Sequence, residues 1–274
     1  MPELPEVEII RRQLEPSLKG KTILHVGVPD PSITTPLRPR AFGSRLRGKK
    51  IMAVSRRGKY LRLELQGGEM LVIHLRMTGV LAFKERVIKK YERRHLRLVI
   101  GLSGSSSLFF WDQRRFGTAR ILQSDEARSF FGRLGREPLK RSFNAMVLQR
   151  LLDSRKQPLK SFLLDQSKIA GIGNIYADEA LFRAGIHPLR PAGSLSVTEV
   201  RRLNRAIKAT LREAISMAGS SIDTYRDARG QRGRFQEAFR VHRRVGEPCS
   251  GCGGTVEKIR VGGRGTYYCP GCQE

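Results

Sequence analysis

A two-domain α+β protein is what this chain predicts, on three observations. From about residue 22 to 122 the sequence is a series of short apolar or alternating runs broken by Gly, Ser and charged turns, among them IMAVSRRGKYLRLEL, MLVIHLRM, HLRLVI and SLFFWDQRRF. After about residue 145 helical periodicity takes over. All four cysteines fall near the C-terminus, in two C-x-x-C pairs. With 274 residues, 39% of them hydrophobic, the chain is long and apolar enough to bury a core.

The elements follow in order. A Pro-containing acidic turn opens the chain and leads into a helix with Val7, Ile10 and Leu14 on one face, stopping near Gly20. The β-rich stretch reads as a sandwich or a barrel. LGREPLKRSF, at 134–143, reads as an interdomain linker. Pro158 suits the first turn of a helix reaching about Gln166. The Gly-rich turn IAGIGN leads to a second helix, from about Ile175 to Arg183, which Gly185 and Pro188 stop. Two helices joined by such a turn suggest a helix-turn-helix-like unit. A third helix starts at a capping box of Ser196 and Glu199, and Val200, Leu203, Ile207, Leu211 and Ile215 give it an apolar face. Residues 219–237, rich in Gly, Ser and Arg, read as a mobile loop. The boundaries expected are 1–134, 135–238 and 239–274.

Charge narrows the partner. Fifty-two Lys and Arg against 25 Asp and Glu give a formal +27 and a pI near 11.0. Such a chain repels itself unless a polyanion is present, so nucleic acid leads and an anionic membrane surface follows. No stretch approaches the roughly 18 apolar residues of a spanning helix. The start, MPELPEVEII, is acidic and lacks a basic n-region, so a signal peptide is not expected. The expected compartment is the cytoplasm, with its cysteines reduced.

Cys249-x-x-Cys252 and Cys269-x-x-Cys272 stand sixteen residues apart. Two such knuckles complete a tetrahedron of thiolates around one structural Zn²⁺, leaving no position open for catalysis. Two redox pairs are the alternative, but neither lies in a βαβ context. The insert GGTVEKIRVGGRGTYY reads as a β-hairpin whose tip, Gly262-Gly263-Arg264-Gly265, pushes one guanidinium outward, for a phosphate or simply into solvent.

At the other end, an α-amine titrates near 7.7–8.0, far below lysine, so a terminal amine is available as a nucleophile near neutrality. The secondary amine of Pro2 can condense with a sugar carbon to an iminium, and Glu3 beside it can move protons. Taken alone, that chemistry favours a plainer reading, a turn that only caps a helix.

The whole chain, however, closely resembles the formamidopyrimidine-DNA glycosylase family. The resemblance rests on MPELPEVE, RRGKYL around Lys59, HLRMTG at 74–79, DQRRFG at 112–117, LGREPL, LLDQSKIAGIGNIYADEALFRAGIHP at 163–188, GEPCSGCGG and GRGTYYCPGCQ, in the family's order. It implies an N-terminal β-sandwich flanked by helices, then a helical domain with a helix-two-turn-helix and a β-hairpin zinc finger. It also implies removal of Met1, so that Pro2 becomes the free N-terminus. The implied activity is excision of oxidised purines from damaged duplex DNA, followed by β,δ-elimination at the abasic site. Pro2 is the implied nucleophile and Glu3 the proton shuttle. Lys59 and Arg264 are placed in the catalytic set, where they also grip phosphate. His74, Asn174 and, less strongly, Lys160 join Arg114 in holding DNA. Met77, Arg114 and Phe116 fill the space left by the extruded base. Glu6, Ser220, Ser221, Thr224 and Tyr225 form the lesion pocket, on a loop that also carries Arg226, Arg229, Arg232 and Arg234. Among the plainer alternatives, Met77 and Phe116 are strand core, Asn174 an N-cap and His74 a satisfied core histidine. A monomer associated with the nucleoid, with no membrane and no diffusible cofactor, completes the implied picture.

The chain departs from the family in two places. Where V-Y-G-R-x-G is usual before the first knuckle, it has Val241-His242-Arg243-Arg244-Val245-Gly246. Gln113 replaces a common Pro, a smaller change. Two rival readings stand: an endonuclease VIII-like glycosylase for oxidised pyrimidines, against which Leu4 and the Met-Arg-Phe set speak, and a non-catalytic zinc-ribbon DNA-binding protein, which leaves Pro-Glu after Met unexplained.

The charge makes a first prediction. Affinity for undamaged duplex falls steeply and log-linearly with salt, because phosphate contacts release counterions. A flat response in a fluorescence-anisotropy titration would mean that the +27 is not used on DNA.

Overall fold

Two four-stranded antiparallel sheets resolve the β-rich stretch as a sandwich. The computed structural model describes residues 1–83, 93–222 and 225–274. One sheet has the order β1 (Ile23–Gly27), β6 (Leu96–Leu102), β7 (Ser106–Asp112), β5 (Gly79–Ala82). The other has the order β2 (Ile51–Arg57), β3 (Tyr60–Leu65), β4 (Met70–His74), β8 (Thr118–Leu122). Strand β3 shows the governing pattern: Leu61, Leu63 and Leu65 are buried, while Tyr60, Arg62 and Glu64 are partly exposed. The inward leucines join Leu98, Ile100 and Phe110 in one core.

Helix α1 (Leu4–Leu18) adds Val7, Ile10, Leu14 and Leu18 to that core, as its periodicity predicts. A second capping box, unread in the sequence, starts it: Glu3 is the N-cap and Glu6 the N3 residue, and each side chain accepts from the other's backbone N–H. Helices α2 (Pro39–Leu46) and α3 (Ser124–Gly132) were also unread. Both are short, and α3 has a single buried residue, so neither leaves a long periodic signal.

The chain divides into two units, 1–132 with 217–234, and 133–216 with 235–274. The first boundary lies close to the expected one, but two features differ. The segment 217–234, expected within the helical domain, packs with the sandwich, and its Tyr225 and Ala228 enter the sandwich core. The finger groups with the helices. LGREPLKRSF is a docked strap inside the second unit: Arg136 bridges to Ile169 and Phe143 is buried.

That second unit begins with α4 (Ala145–Leu152), capped by the Asn144 side chain accepting from Val147 N. Helix α5 (Leu159–Leu164) is two residues shorter than expected, and Pro158 is its N-cap rather than part of its first turn. Gln166 leaves the helix to close the following Gly-rich turn: its amide donates to Leu164 O and Ile172 O, and its carbonyl accepts from Gly171 N. Helix α6 (Asn174–Ala184) ends at Gly185 in the left-handed region. Helix α7 (Val197–Ser216) begins at the predicted box, with Ser196 N donating to Glu199 and Glu199 N to Ser196. The finger hairpin pairs β9 (Glu257–Val261) with β10 (Arg264–Tyr268).

The neck of the segment 217–234 is tight. Arg234 N donates to Met217 O at 2.8 Å and Gly233 N to Ser221 Oγ at 2.9 Å. A Cβ on Gly233 would stand 2.2 Å from Gly219 O and 2.4 Å from Ala218 O, both backbone. Gly233→Ala therefore lowers stability by about 1–3 kcal/mol, as overpacking does. Urea unfolding of the two proteins tests this, and an unchanged midpoint would show that the neck relaxes freely.

Candidate active site and nucleic-acid interface

In the first unit the capping box decides where the chain's start lies. Pro2, Glu3 and Glu6 are all buried. The Glu6 carboxylate accepts from Glu3 N at 2.8 Å through one oxygen and from Ser220 N at 2.9 Å through the other. One side chain thus ties the N-terminal turn to the segment 217–234. Gly219 makes the approach possible: its φ is +78°, and a Cβ there would lie 2.9 Å from Glu6 Oε1. Two helical turns on, Gln13 repeats the attachment, donating to Asp227 at 2.7 Å and accepting from Ala228 N at 2.9 Å.

Of the expected pocket residues, Ser220, Ser221 and Tyr225 stand together here. Ser221 Oγ donates to Tyr225 O, while Ser220 Oγ and the Tyr225 hydroxyl are buried without a hydrogen-bond partner among the described residues. Burial pushes the Tyr225 hydroxyl well above its usual range, and the negative charges of Glu6 and Asp227 add to this. Tyr225 is therefore a neutral donor. Thr224 lies outside the described residues.

Lys59 follows Gly58 in the two-residue turn between β2 and β3. Arg56 braces that turn, donating to Gly58 O at 2.8 Å while pairing with Glu8 of α1 at 3.1 Å. Strand pairing sets Tyr60 opposite His74, with ring centroids 4.5 Å apart. His74 Nδ1 accepts from Arg76 N at 2.9 Å, which leaves Nε2 as the protonated nitrogen of a neutral ring. Burial takes its pKa down to about 3, with the Arg76 and Lys59 cations adding to the shift. The same cations would favour a phosphate.

Met77, Arg114 and Phe116 come together, and they are not strand core. Met77 is 41% exposed and Phe116 47%. Arg114 lies over the Phe116 ring at 4.7 Å and reaches Met77 Sδ at 3.2 Å. Asp112, which the sequence reading missed, holds the loop: it accepts from Thr78 Oγ1, from Arg114 N at 3.2 Å and from Gly117 N at 2.6 Å. An Asp at a strand end just before a turn was the available signal. Arg76 and Arg115, one in each of the two loops, have positive φ of 52° and 58°. Side chains pay for that conformation, and such strain gathers at working loops.

The second unit holds Lys160, Asn174 and Arg264. The hairpin turn is the two glycines alone, Gly262 and Gly263, with φ of 54° and 76°. Arg264 is therefore the exposed first residue of β10, paired with Val261, rather than part of the tip. Asn174 is the first residue of α6, and Gly173 is the cap; its amide donates to Gly265 O at 2.9 Å.

Lys160 is corrected. It is 0% exposed, pairs with Asp178 at 2.7 Å, and donates to Gly265 O at 3.0 Å and Thr266 Oγ1 at 2.8 Å. A lysine so enclosed cannot grip a phosphate; it fixes the carbonyl next to Arg264. The same Asp178 accepts from His242 Nδ1 at 2.8 Å. The departure at His242 thus finds a partner, while Arg243 adopts φ +64°, where the usual glycine costs nothing. Glu179, also missed, gathers the N–H groups of Arg240, Val241 and His242. Adjacent acids on an otherwise apolar helix were the clue.

The four cysteine sulfurs lie within 4.8 Å of one another. Cys249 and Cys272 are 3.8 Å apart, and Cys252 and Cys269 3.4 Å. These pairs run between knuckles, against two redox pairs. A tetrahedron with Zn–S near 2.3 Å has edges of about 3.8 Å, so the donors fit zinc.

Residues 1–119 match the formamidopyrimidine-DNA glycosylase N-terminal domain, 134–226 its H2TH domain, and 246–274 the zinc finger found in such glycosylases and in isoleucyl-tRNA synthetase. A formamidopyrimidine-DNA glycosylase of Chloroflexus aurantiacus is 44% identical over all of this chain and 98% of its own. A mutant of the Lactococcus lactis enzyme, bound to DNA containing Fapy-dG, is 35% identical with a TM-score of 0.91 over 100% of both chains. The L. lactis enzyme with abasic-site DNA is 35% identical, with a TM-score of 0.90 over 99% of both. The finger is a structural zinc site, and among the described residues no helix is long and apolar enough to cross a membrane.

His74 generates a pH prediction. Its folded pKa, about 3, lies below the ordinary 6.5. The stability it contributes is complete above 6.5 and is lost as pH falls through that window, because only the unfolded chain takes up the proton. From about pH 7 to about pH 5 the protein loses about 2 kcal/mol more than His74→Gln does. Equal losses in urea titrations would show that His74 is protonated in the fold.

Proposed function

Because the chain belongs to the formamidopyrimidine-DNA glycosylase family, we propose that it excises oxidised purines, 8-oxoguanine and formamidopyrimidines, from duplex DNA with the Pro2 amine as nucleophile. It is a base-excision-repair DNA glycosylase and AP lyase with damaged DNA as its partner. The observation that supports the finer reading is Glu6, whose carboxylate accepts from both Glu3 N and Ser220 N and so links the buried turn containing Pro2 to the segment carrying Ser220.

With Met1 removed, Pro2 is a secondary amine that attacks C1′ of the damaged nucleotide. The C1′–N bond breaks and the base leaves, taking a proton that Glu3 can supply. The Pro2 nitrogen then gives up its proton and the C1′–O4′ bond breaks, O4′ taking a proton. The opened sugar is thus held as an iminium, which acidifies the C2′ hydrogen. Loss of that proton expels the 3′ phosphate, and a second elimination expels the 5′ phosphate. The Ser220 hydroxyl and the neutral Tyr225 hydroxyl are the side-chain donors suited to a lesion oxygen.

Extruding the nucleotide costs a few kcal/mol of stacking and pairing. The exposed Met77–Arg114–Phe116 cluster suits the gap: a flexible apolar filler, a guanidinium for the orphaned base and a stacking wedge. Lys59, His74, Asn174 and Arg264 take the phosphates, His74 through its Nε2–H. The zinc stays out of the chemistry, no diffusible cofactor is needed, and the protein acts as a monomer in the cytoplasm on the nucleoid.

A borohydride trap on a duplex with 8-oxoguanine opposite cytosine tests this. The expected result is an adduct that peptide mass spectrometry maps to Pro2, with Glu3→Gln slowing excision by roughly 10²-fold or more. No adduct on that duplex, with a strong one on thymine glycol, would overturn the purine assignment. No adduct on either would leave a DNA-binding protein without the chemistry.

A further inference from the structure

Helix α7 carries a charge pattern that the excision reaction does not use. Arg201, Arg205, Lys208 and Arg212 follow one another at spacings of four, three and four. At 3.6 residues per turn they fall within an arc of roughly 60°, one cation per roughly 5.5 Å of helix axis. The three arginines are exposed and Lys208 is partly so. The buried face, with Val200, Leu203, Ile207 and Leu211, points elsewhere.

The helix's two acids do not relieve this stripe. Glu199 is held by Arg190 at 2.5 Å and Glu213 by Arg183, both off the stripe. None of Arg201, Arg205 and Arg212 has an ion-pair partner among the described residues. Lys208 lies 6.0 Å over the Phe143 ring, and the exposed Lys140 and Arg141 precede that ring in the chain. Like charges three and four apart destabilise a helix, so the arrangement works against the fold in isolation. The Lys208 ammonium reflects the crowding: burial lowers its pKa, and the neighbouring Arg212 lowers it further.

We infer that the outer face of α7 binds the phosphate backbone of a second DNA duplex while the lesion duplex is held by the residues assigned above. A linear row of arginines, with no apolar residue at its centre, suits a regular polyanion better than the apolar-cored patch of a protein interface. The contact goes beyond the excision chemistry and would pass the enzyme from one DNA segment to another without full release.

The test starts from the zinc-loaded, full-length protein saturated with an unlabelled duplex bearing a tetrahydrofuran abasic-site analogue. Labelled undamaged duplex is then titrated in and followed by anisotropy. The wild type is expected to form a ternary complex. The quadruple variant Arg201→Gln, Arg205→Gln, Lys208→Gln, Arg212→Gln should bind the second duplex at least roughly tenfold more weakly, with a log–log salt slope smaller by up to about 3.6. Its single-turnover excision rate should equal that of the wild type, which also reports an intact fold. The triple variant Arg201→Lys, Arg205→Lys, Arg212→Lys keeps the charge and should keep the ternary complex. The inference is overturned if the wild type forms no ternary complex, if the glutamine variant binds the second duplex equally well, or if the wild-type complex binds polyglutamate and not DNA.

Discussion

The Glu6 carboxylate joins stretches of chain 214 residues apart, and the seating of the N-terminal turn depends on that join. Buried carboxylates persist only when their oxygens are satisfied, and here the two oxygens take backbone N–H groups from different segments. One belongs to the turn that contains Pro2, the other to the segment that carries Ser220. Neither has a regular element of its own to hold it. The N-terminal turn precedes the first residue of α1, and 217–234 contains no helix or strand among its described residues. Anchoring both on one helix, with Gln13 as a second attachment, gives irregular backbone the stability of the sandwich beneath it.

The same economy governs the other working loops. Asp112 closes the strand end that bears Arg114 and Phe116, Arg56 braces the turn that bears Lys59, and Lys160 with Asn174 fixes the carbonyl beside Arg264. In each case a charged or amide side chain satisfies backbone groups next to a candidate functional residue. Lys160 shows how this division is misread from sequence. A lysine ahead of a Gly-rich turn in a basic chain suggests phosphate, whereas its burial against Asp178 makes it a scaffold for a neighbour that does face solvent.

What the sequence made legible is what repeats or matches. The alternation of β3, the spacing along α1 and α7, and the paired knuckles all follow periodic or fixed-interval rules, and the structure has them within a few residues. The residue set of the candidate site came from resemblance, since single residues such as Met77 and Phe116 look like strand core until their exposure is known. Short α2 and α3 were missed for want of periods. Glu179, Asp112 and the box at Glu3 were missed because acids beside turns or on helices are common, and their main partners are backbone N–H groups that no residue type specifies. The attachment of 217–234 to the sandwich was missed because a contact across 214 residues has no local signature.

That attachment also sets an order of assembly. The first unit is interrupted by most of the second, so a ribosome delivers the sandwich, α1 and the Pro2 turn well before Ser220 exists. Until residue 220 emerges, one Glu6 oxygen lacks its backbone donor and the sandwich core lacks Tyr225 and Ala228. The helices of the second unit are local in sequence and can form in the interval. The segment that carries Ser220 is therefore among the last parts of the first unit to form, and the N-terminal turn waits for its second anchor long after it has left the ribosome.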